Sequence, residues 1–159
     1  MPRWLWRKYE GRKKLGELTE TDKARLGMAV DTDGSILCKK SKDRSYSYPV
    51  FSFKSATKLA LILAKEYGGG IYPKKDKRYP NSHSYEWSIS RQADLTEFFE
   101  QIKDSILIKE KQRRWALEIL ELLHFKPAGW KKKTNTLAQK ISKQNRQSNN
   151  QELDLDDDE

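Results

Sequence analysis

Apolar positions change their spacing several times along this chain, and each change marks an element. Thr19-Glu20-Thr21-Asp22 opens the first one. Thr19 with Asp22 three positions on resembles a capping box with Asp in place of Glu, and it predicts a helix from about Thr21 to Asp31. Ala24, Leu26, Gly27, Met28, Ala29 and Val30 give that helix a broader apolar face than a surface helix needs. A glycine inside a helix costs about 1 kcal/mol relative to alanine, so Gly27 predicts close approach of another backbone, read as a second helix. Gly34 is placed to end the helix.

Beyond it, 35–40 reads as a strand, SKDRS at 41–45 as a turn, and 46–53 as a second strand. There Tyr46, Tyr48 and Val50 alternate with Ser47, Pro49 and Phe51, and Pro49 marks an edge or a bulge. Ser55-Ala56-Thr57 opens a helix that runs through Tyr67 and closes at Gly68-Gly69-Gly70. Arms at 71–79 and 83–90 predict a second hairpin, joined around Pro80-Asn81. Helices are expected over about 93–103, 110–124 and 134–145, with Pro127-Ala128-Gly129 breaking the last two apart. Helix, hairpin, helix, hairpin, helices is an α+β order. It predicts an antiparallel sheet covered by helices on one face.

Charge narrows the partner. The chain of 159 residues carries a net charge of +9, although six acids crowd its last eight residues, ELDLDDDE. Such a field favours a polyanion, most often nucleic acid. No apolar run approaches the roughly 20 residues of a membrane span and no signal peptide opens the chain, so an intracellular place, cytoplasmic or organellar, is expected. Cys38 is alone, which rules out a disulfide within the chain, and with only His83 and His124 beside it a Cys/His zinc site is not supported. The chain divides into a basic and aromatic extension (1–18), one domain (19–144) and an acidic tail expected to be disordered (145–159). The extension reads either as an arm on the nucleic acid or as a strand and helix packed on the domain.

The hairpins point to how a polyanion would be met. In 83–90, Tyr85, Trp87 and Ile89 share the face that must meet the helices, leaving Glu86, Ser88 and Ser90 on the other. Lys74, Lys75, Lys77 and Arg78 surround the second turn; Lys39, Lys40, Lys42 and Arg44 surround the first. A polar sheet face with basic turns fits a major groove, which admits a β-ribbon. Lys39, Ser41, Lys75, Glu86 and Ser88 are the expected base contacts, while Arg113, Arg114 and Lys131 to Lys133 are candidates for phosphate.

Asp31-Thr32-Asp33-Gly34-Ser35-Ile36 closes the argument. The stretch from Leu26 to Gly34 resembles the LAGLIDADG motif of homing endonucleases: Leu26, Asp31, Asp33 and Gly34 match, Gly27 and Val30 are conservative, and Met28 and Ala29 depart from it. Ile106-Leu107-Ile108-Lys109-Glu110-Lys111-Gln112 is similar to the LKxKQ segment of the same family. The resemblance covers about residues 19 to 125 and implies the αββαββα saddle fold. It implies that Asp33 holds a divalent metal, Mg²⁺, with Mn²⁺ or Ca²⁺ as in-vitro substitutes, assisted by the Thr32 carbonyl. Lys109 becomes the basic active-site residue; Lys54 is a further catalytic candidate, in competition with Ser52 and Lys58. Counting from Asp33, alternation turns Leu37, Lys39 and Ser41 toward DNA.

Only one such motif occurs, so the resemblance implies a homodimer on double-stranded DNA, joined through Ala24, Gly27, Met28 and Asp31. It also implies a long pseudo-palindromic target cut in both strands to leave 3′ overhangs. The departures at Met28 and Ala29 keep a second reading open: a non-cleaving binder of the same fold, an intron RNA maturase or a DNA-binding regulator. A basic ribosomal or structural protein is the third.

Overall fold

The computed structural model describes Arg7–Tyr9, 15–76 and 79–150, with side chains described for 15, 17–74 and 84–147. In chain order the elements are β1 (Arg7–Tyr9), a 3-10 turn (Leu15–Glu17), α1 (Glu20–Thr32), β2 (Gly34–Lys40), β3 (Ser47–Ser55), α2 (Leu59–Tyr67), β4 (Gly69–Asp76), β5 (Tyr79–Ile89), α3 (Gln92–Gln101), α4 (Glu110–Phe125) and α5 (Trp130–Asn150). The strands hydrogen-bond in the order β1-β4-β5-β3-β2. This is the α+β architecture with an antiparallel sheet. Two compact units divide the chain, 1–35 with 51–105 and 36–50 with 106–159.

In the first unit the capping box forms as read. The Asp22 N–H donates to Thr19 Oγ1 at 3.1 Å, and the Thr19 N–H donates to the Asp22 carboxylate at 3.1 Å. Asp22 is buried, and it also accepts the Tyr67 hydroxyl at 2.8 Å, tying α1 to the end of α2. Burial, together with that bond to Asp22, raises the Tyr67 pKa. The 3-10 turn and buried Leu18 lead into α1, and β1 pairs antiparallel with β4. For the extension, where the alternative to an arm is a strand and a helix, the described residues show a strand and a 3-10 turn.

Two glycines act differently from expectation. A Cβ on Gly27 would stand 2.6 Å from Ser105 Cβ and 2.8 Å from the Ser105 carbonyl carbon. The close approach is real, and within this chain it is to the backbone after α3 rather than to a second helix. That backbone cannot swing aside as a side chain could, so Gly27→Ala is expected to destabilise by about 1–3 kcal/mol through overpacking. A urea titration measures this; an unchanged midpoint would mean that the contact relaxes. Gly34 stands directly after the C-cap of α1, as expected, but without a positive φ. Asp33 is the C-cap, in the right-handed region at φ −109°, and Gly34 begins β2. What demands glycine there is space, since a Cβ would lie 2.7 Å from Val30 Cα and 2.8 Å from the Phe51 ring.

The core of this unit is aromatic. Trp87, Phe51, Phe53, Phe98 and Phe99 are all buried. Trp87 packs edge-on to Phe51 at 5.4 Å and to Phe98 at 6.1 Å, and its ring N–H donates to the Gly68 carbonyl at 2.7 Å. The alternation expected of the second strand is lost in β3, where Pro49 to Phe53 are all buried. The cause is its place inside the sheet order rather than at an edge. Pro49 lies outside the register with β5, which runs from Phe51↔Ile89 to Ser55↔Tyr85. Helix α2 starts at Leu59, not at Ser55, because Ser55 and Thr57 spend their hydroxyls on the preceding turn. The hairpin joint also moves: Asp76 pairs with Tyr79, so Pro80 and Asn81 lie in β5.

In the second unit α5 is longer than its pattern predicts, from Trp130 to Asn150 instead of 134–145. The domain boundary expected after residue 144 thus falls inside a helix. Asn135 accepts from Lys40 and from Ser47, each at 2.7 Å, and donates to the Ser45 carbonyl at 3.0 Å. Asn145 donates to the Ile36 carbonyl at 2.9 Å. Two asparagines thus dock α5 on β2 and on the turn after it, a role that apolar periodicity cannot reveal. Lys126, with φ 48°, and Gly129, with φ 76°, turn the chain from α4 into α5. Burial pushes the Cys38 thiol up to about 12, which leaves it protonated and unreactive at neutral pH. Among the described residues no helix is long and apolar enough to cross a membrane.

Candidate nucleic-acid interface

Within the first unit β3 from Phe51 onward, β5 and β4 build one polar face by register. Lys54 lies opposite Glu86, which lies opposite Tyr72 on its other side. Ser52 lies opposite Ser88, which lies opposite Gly70. Because the side chains of a strand alternate, these rows share the side of the sheet away from Phe51, Phe53, Trp87 and Ile89. Lys54 is exposed, and Lys74 holds Glu86 in an ion pair at 2.8 Å. Lys54, Lys74, Glu86 and Ser88 are therefore gathered on one surface; of these, the strand pattern puts Glu86 and Ser88 there. Tyr72 and Ser84 join it without having been singled out; their signal was the same two-residue spacing on either side of the turn.

Asp33 is exposed at the C-terminus of α1, its N–H donating to the Ala29 carbonyl at 3.2 Å. Thr32 beside it donates its hydroxyl to the Met28 carbonyl at 2.8 Å. The last turn of α1 carries no basic residue. A helix C-terminus bears partial negative charge, so a carboxylate there, unpaired with any local cation of the helix, makes a place for a cation. Ala24 and Met28 are exposed on α1, Met28 at 65%, and Asp31 is half-buried. Gly27, expected with them in a subunit seam, is buried against Ser105 as described.

In the second unit β2 keeps its alternation. Ile36 is buried, whereas Leu37 and Lys39 are exposed and Ser41 is half-exposed. Lys40 points the other way, to Asn135. The turn is ordered by Asp43, which accepts from Ser41 Oγ at 2.8 Å, Ser45 Oγ at 2.7 Å and the Ser45 N–H at 3.0 Å. These bonds, led by the Ser45 hydroxyl, hold the Asp43 carboxyl at about 2, and Arg44 is exposed at the tip with φ 61°. Lys109 is half-buried at the N-cap of α4. Arg113, a candidate for phosphate, is instead buried and forks onto Glu110 with two bonds of 2.8 Å; hydrogen bonding to Arg113 is the main cause of the lowered Glu110 pKa. Arg114 and Lys131 to Lys133 are exposed. Lys75 lies in β4 with its side chain outside the described residues, and Lys77 and Arg78 lie outside them altogether.

Solved structures of the same shape identify the fold. The homing endonuclease I-CvuI, in complex with its target in the presence of Ca, superposes with a TM-score of 0.62 at 18% identity, covering 78% of this chain and 82% of that one. Archaeal intron-encoded I-Vdi141I, complexed with DNA, gives 0.61 at 17% identity over 79% and 84%. The LAGLIDADG homing endonuclease I-SmaMI, bound to cleaved DNA, gives 0.52 at 21% identity, covering 77% of this chain but 45% of that one. This is the LAGLIDADG homing-endonuclease fold. No protein-family model matches the sequence, and no curated protein sequence does. In this fold, α1 carries the stretch that resembles the motif, and β2 follows it directly.

The implied Mg²⁺ can be tested against the donors present. Among the described residues no group of three or more His, Cys, Asp or Glu could hold a metal. Mg²⁺ does not require such a cage, since it keeps several waters and binds through one or two carboxylates plus phosphate oxygens. A single exposed Asp33 at a negative helix end offers one such carboxylate.

Proposed function

We propose that this chain is a site-specific DNA endonuclease that works as a homodimer. Exposed Asp33, delivered by the one LAGLIDADG-like helix of a LAGLIDADG fold, is the observation that carries the reading. One motif supplies one carboxylate. The chain spans under half of I-SmaMI but most of I-CvuI and I-Vdi141I, which supports a protein completed by a second copy of itself. Ala24, Met28 and Asp31 on α1 are the proposed seam, and Gly27 supports α1 from behind.

Each residue then has a task. Asp33 would hold Mg²⁺, with the Thr32 carbonyl as a second oxygen. The bound ion supplies activation of water and neutralisation of charge on the leaving oxygen. Lys109 and Lys54 offer cationic stabilisation of that charge and order solvent near the phosphate. Leu37, Lys39, Ser41 and Arg44 read or clasp the duplex, as do Lys74, Lys75, Lys77, Arg78, Glu86 and Ser88. Among these, a glutamate accepts from cytosine and a lysine donates to guanine. The product is a double-strand break with 3′ overhangs.

The test is to incubate the chain with a duplex library and Mg²⁺, then sequence the ends. Enriched ends at one pseudo-palindromic site are expected, with none in EDTA. Tight binding without any cleavage would overturn the enzyme reading in favour of a non-cleaving binder, for which the departures of Met28 and Ala29 from the motif speak.

A further inference from the structure

We propose that Tyr72 reads a thymine, its ring set against the 5-methyl group in the major groove; the inference rests on the DNA reading above and names one base for that face. Tyr72 lies in β4 on the polar side of the sheet, opposite Glu86, and is half-buried. Its ring lies back over Gly70. A Cβ on Gly70 would stand 3.2 Å from Tyr72 Cε2, 3.2 Å from its hydroxyl oxygen and 3.4 Å from Cζ. Any other residue there would press on the ring, so Gly70 leaves it room to lie along the strand. Gly70 is opposite Ser88, and Ser88 is opposite Ser52, so the phenol hydroxyl is carried to the row of the two serines.

The chemistry of this patch singles out the ring. Its neighbours Ser52, Lys54, Lys74, Ser84, Glu86 and Ser88 end in hydroxyls, ammonium groups and a carboxylate. Such groups meet phosphates and the polar edges of bases. In a duplex the flat faces of the bases are stacked on one another, so an aromatic side chain meets only their edges. The apolar group that the major groove displays is the C5-methyl of thymine. Cytosine in its place offers no methyl to the ring. A ring already laid along the strand also loses less rotamer freedom on binding than one that swings free. The ring covers the backbone at Gly70 as well, and the test must separate that role from contact with DNA.

The experiment selects bound sites from a randomised duplex library with the full chain in EDTA. Each thymine of the recovered site is then replaced by deoxyuridine, which lacks only the methyl. At one position, or at two related by symmetry, the wild-type protein is expected to bind the deoxyuridine duplex about fourfold more weakly, the worth of one buried methyl-sized group. Tyr72→Phe keeps the ring and should keep that ratio. Tyr72→Ala should lose it there and nowhere else. The ratio compares two duplexes on one protein, so a variant that is partly unfolded still reports it. Wild-type protein that binds thymine and deoxyuridine duplexes alike at every position, or a Tyr72→Ala variant that keeps the ratio, would overturn the role of Tyr72 and leave the DNA face standing. If the library yields no preferred site at all, the site-specific DNA reading falls with it.

Discussion

Asp33→Asn should abolish cleavage while leaving DNA binding intact. The change is isosteric, and the position is exposed at a helix C-cap whose backbone N–H already bonds to the Ala29 carbonyl. Neither packing nor helix length depends on the charge. What the amide lacks is affinity for a hard cation, since Mg²⁺ takes anionic oxygen donors. A metal contributes several kcal/mol of transition-state stabilisation, and each 1.4 kcal/mol or so is tenfold in rate, so a loss of about three orders of magnitude or more is expected. Binding measured in EDTA should not weaken. Removing a carboxylate from a surface that meets phosphates lessens repulsion, so the affinity stays level or rises slightly. Single-turnover cleavage and a gel-shift titration on the same duplex measure the two effects. Cutting at the wild-type rate would refute the assignment of Asp33; lost binding would mean that the residue serves the fold.

How far the sequence carried this account depends on the kind of force at each point. Thr19 and Asp22 were legible because a capping box is local: four residues satisfy one another whatever surrounds them. Trp87 was legible as core because strand alternation placed it with Tyr85 and Ile89 on the side facing the helices. The partner of Gly27 was not legible. A missing side chain announces close approach, but no pattern says which backbone comes near, and the answer was Ser105, distant along the chain. Gly34 misled for a related reason: helix-ending glycines usually take positive φ, whereas this one is needed for the space between Val30 and Phe51. The extent of α5 was hidden because polar side chains, Asn135 and Asn145, dock it. Asp33 stood out only through its resemblance to a known motif, since an Asp before Gly is common at turns.

Trp87→Ala is expected to be the most damaging single change to stability. The side chain is fully buried, and its neighbours Phe51, Phe53, Tyr67 and Phe98 ring it with centroids 5.4 to 6.5 Å away. Truncating a buried Trp to Ala costs about 3–5 kcal/mol, from lost transfer energy and the cavity left behind. A second cost arises here, because the Gly68 carbonyl loses the indole N–H that satisfies it at 2.7 Å; an orphaned buried acceptor costs about 1–3 kcal/mol more. Against a total stability of about 5–15 kcal/mol, that loss removes a large share of what keeps the protein folded. Trp87→Phe separates the terms: it keeps an aromatic ring among the others but gives Gly68 no donor, so it should lose less than Ala and more than a pure volume change. Denaturant titrations of the two variants give the difference. If Trp87→Phe is as stable as wild type, the Gly68 bond contributes nothing. Since Trp87 and Glu86 are adjacent on β5, with one side chain in the core and the other on the polar face, a Trp87→Phe chain that folds should also bind DNA more weakly if core packing holds β5 in the register that aligns Lys54, Glu86 and Tyr72.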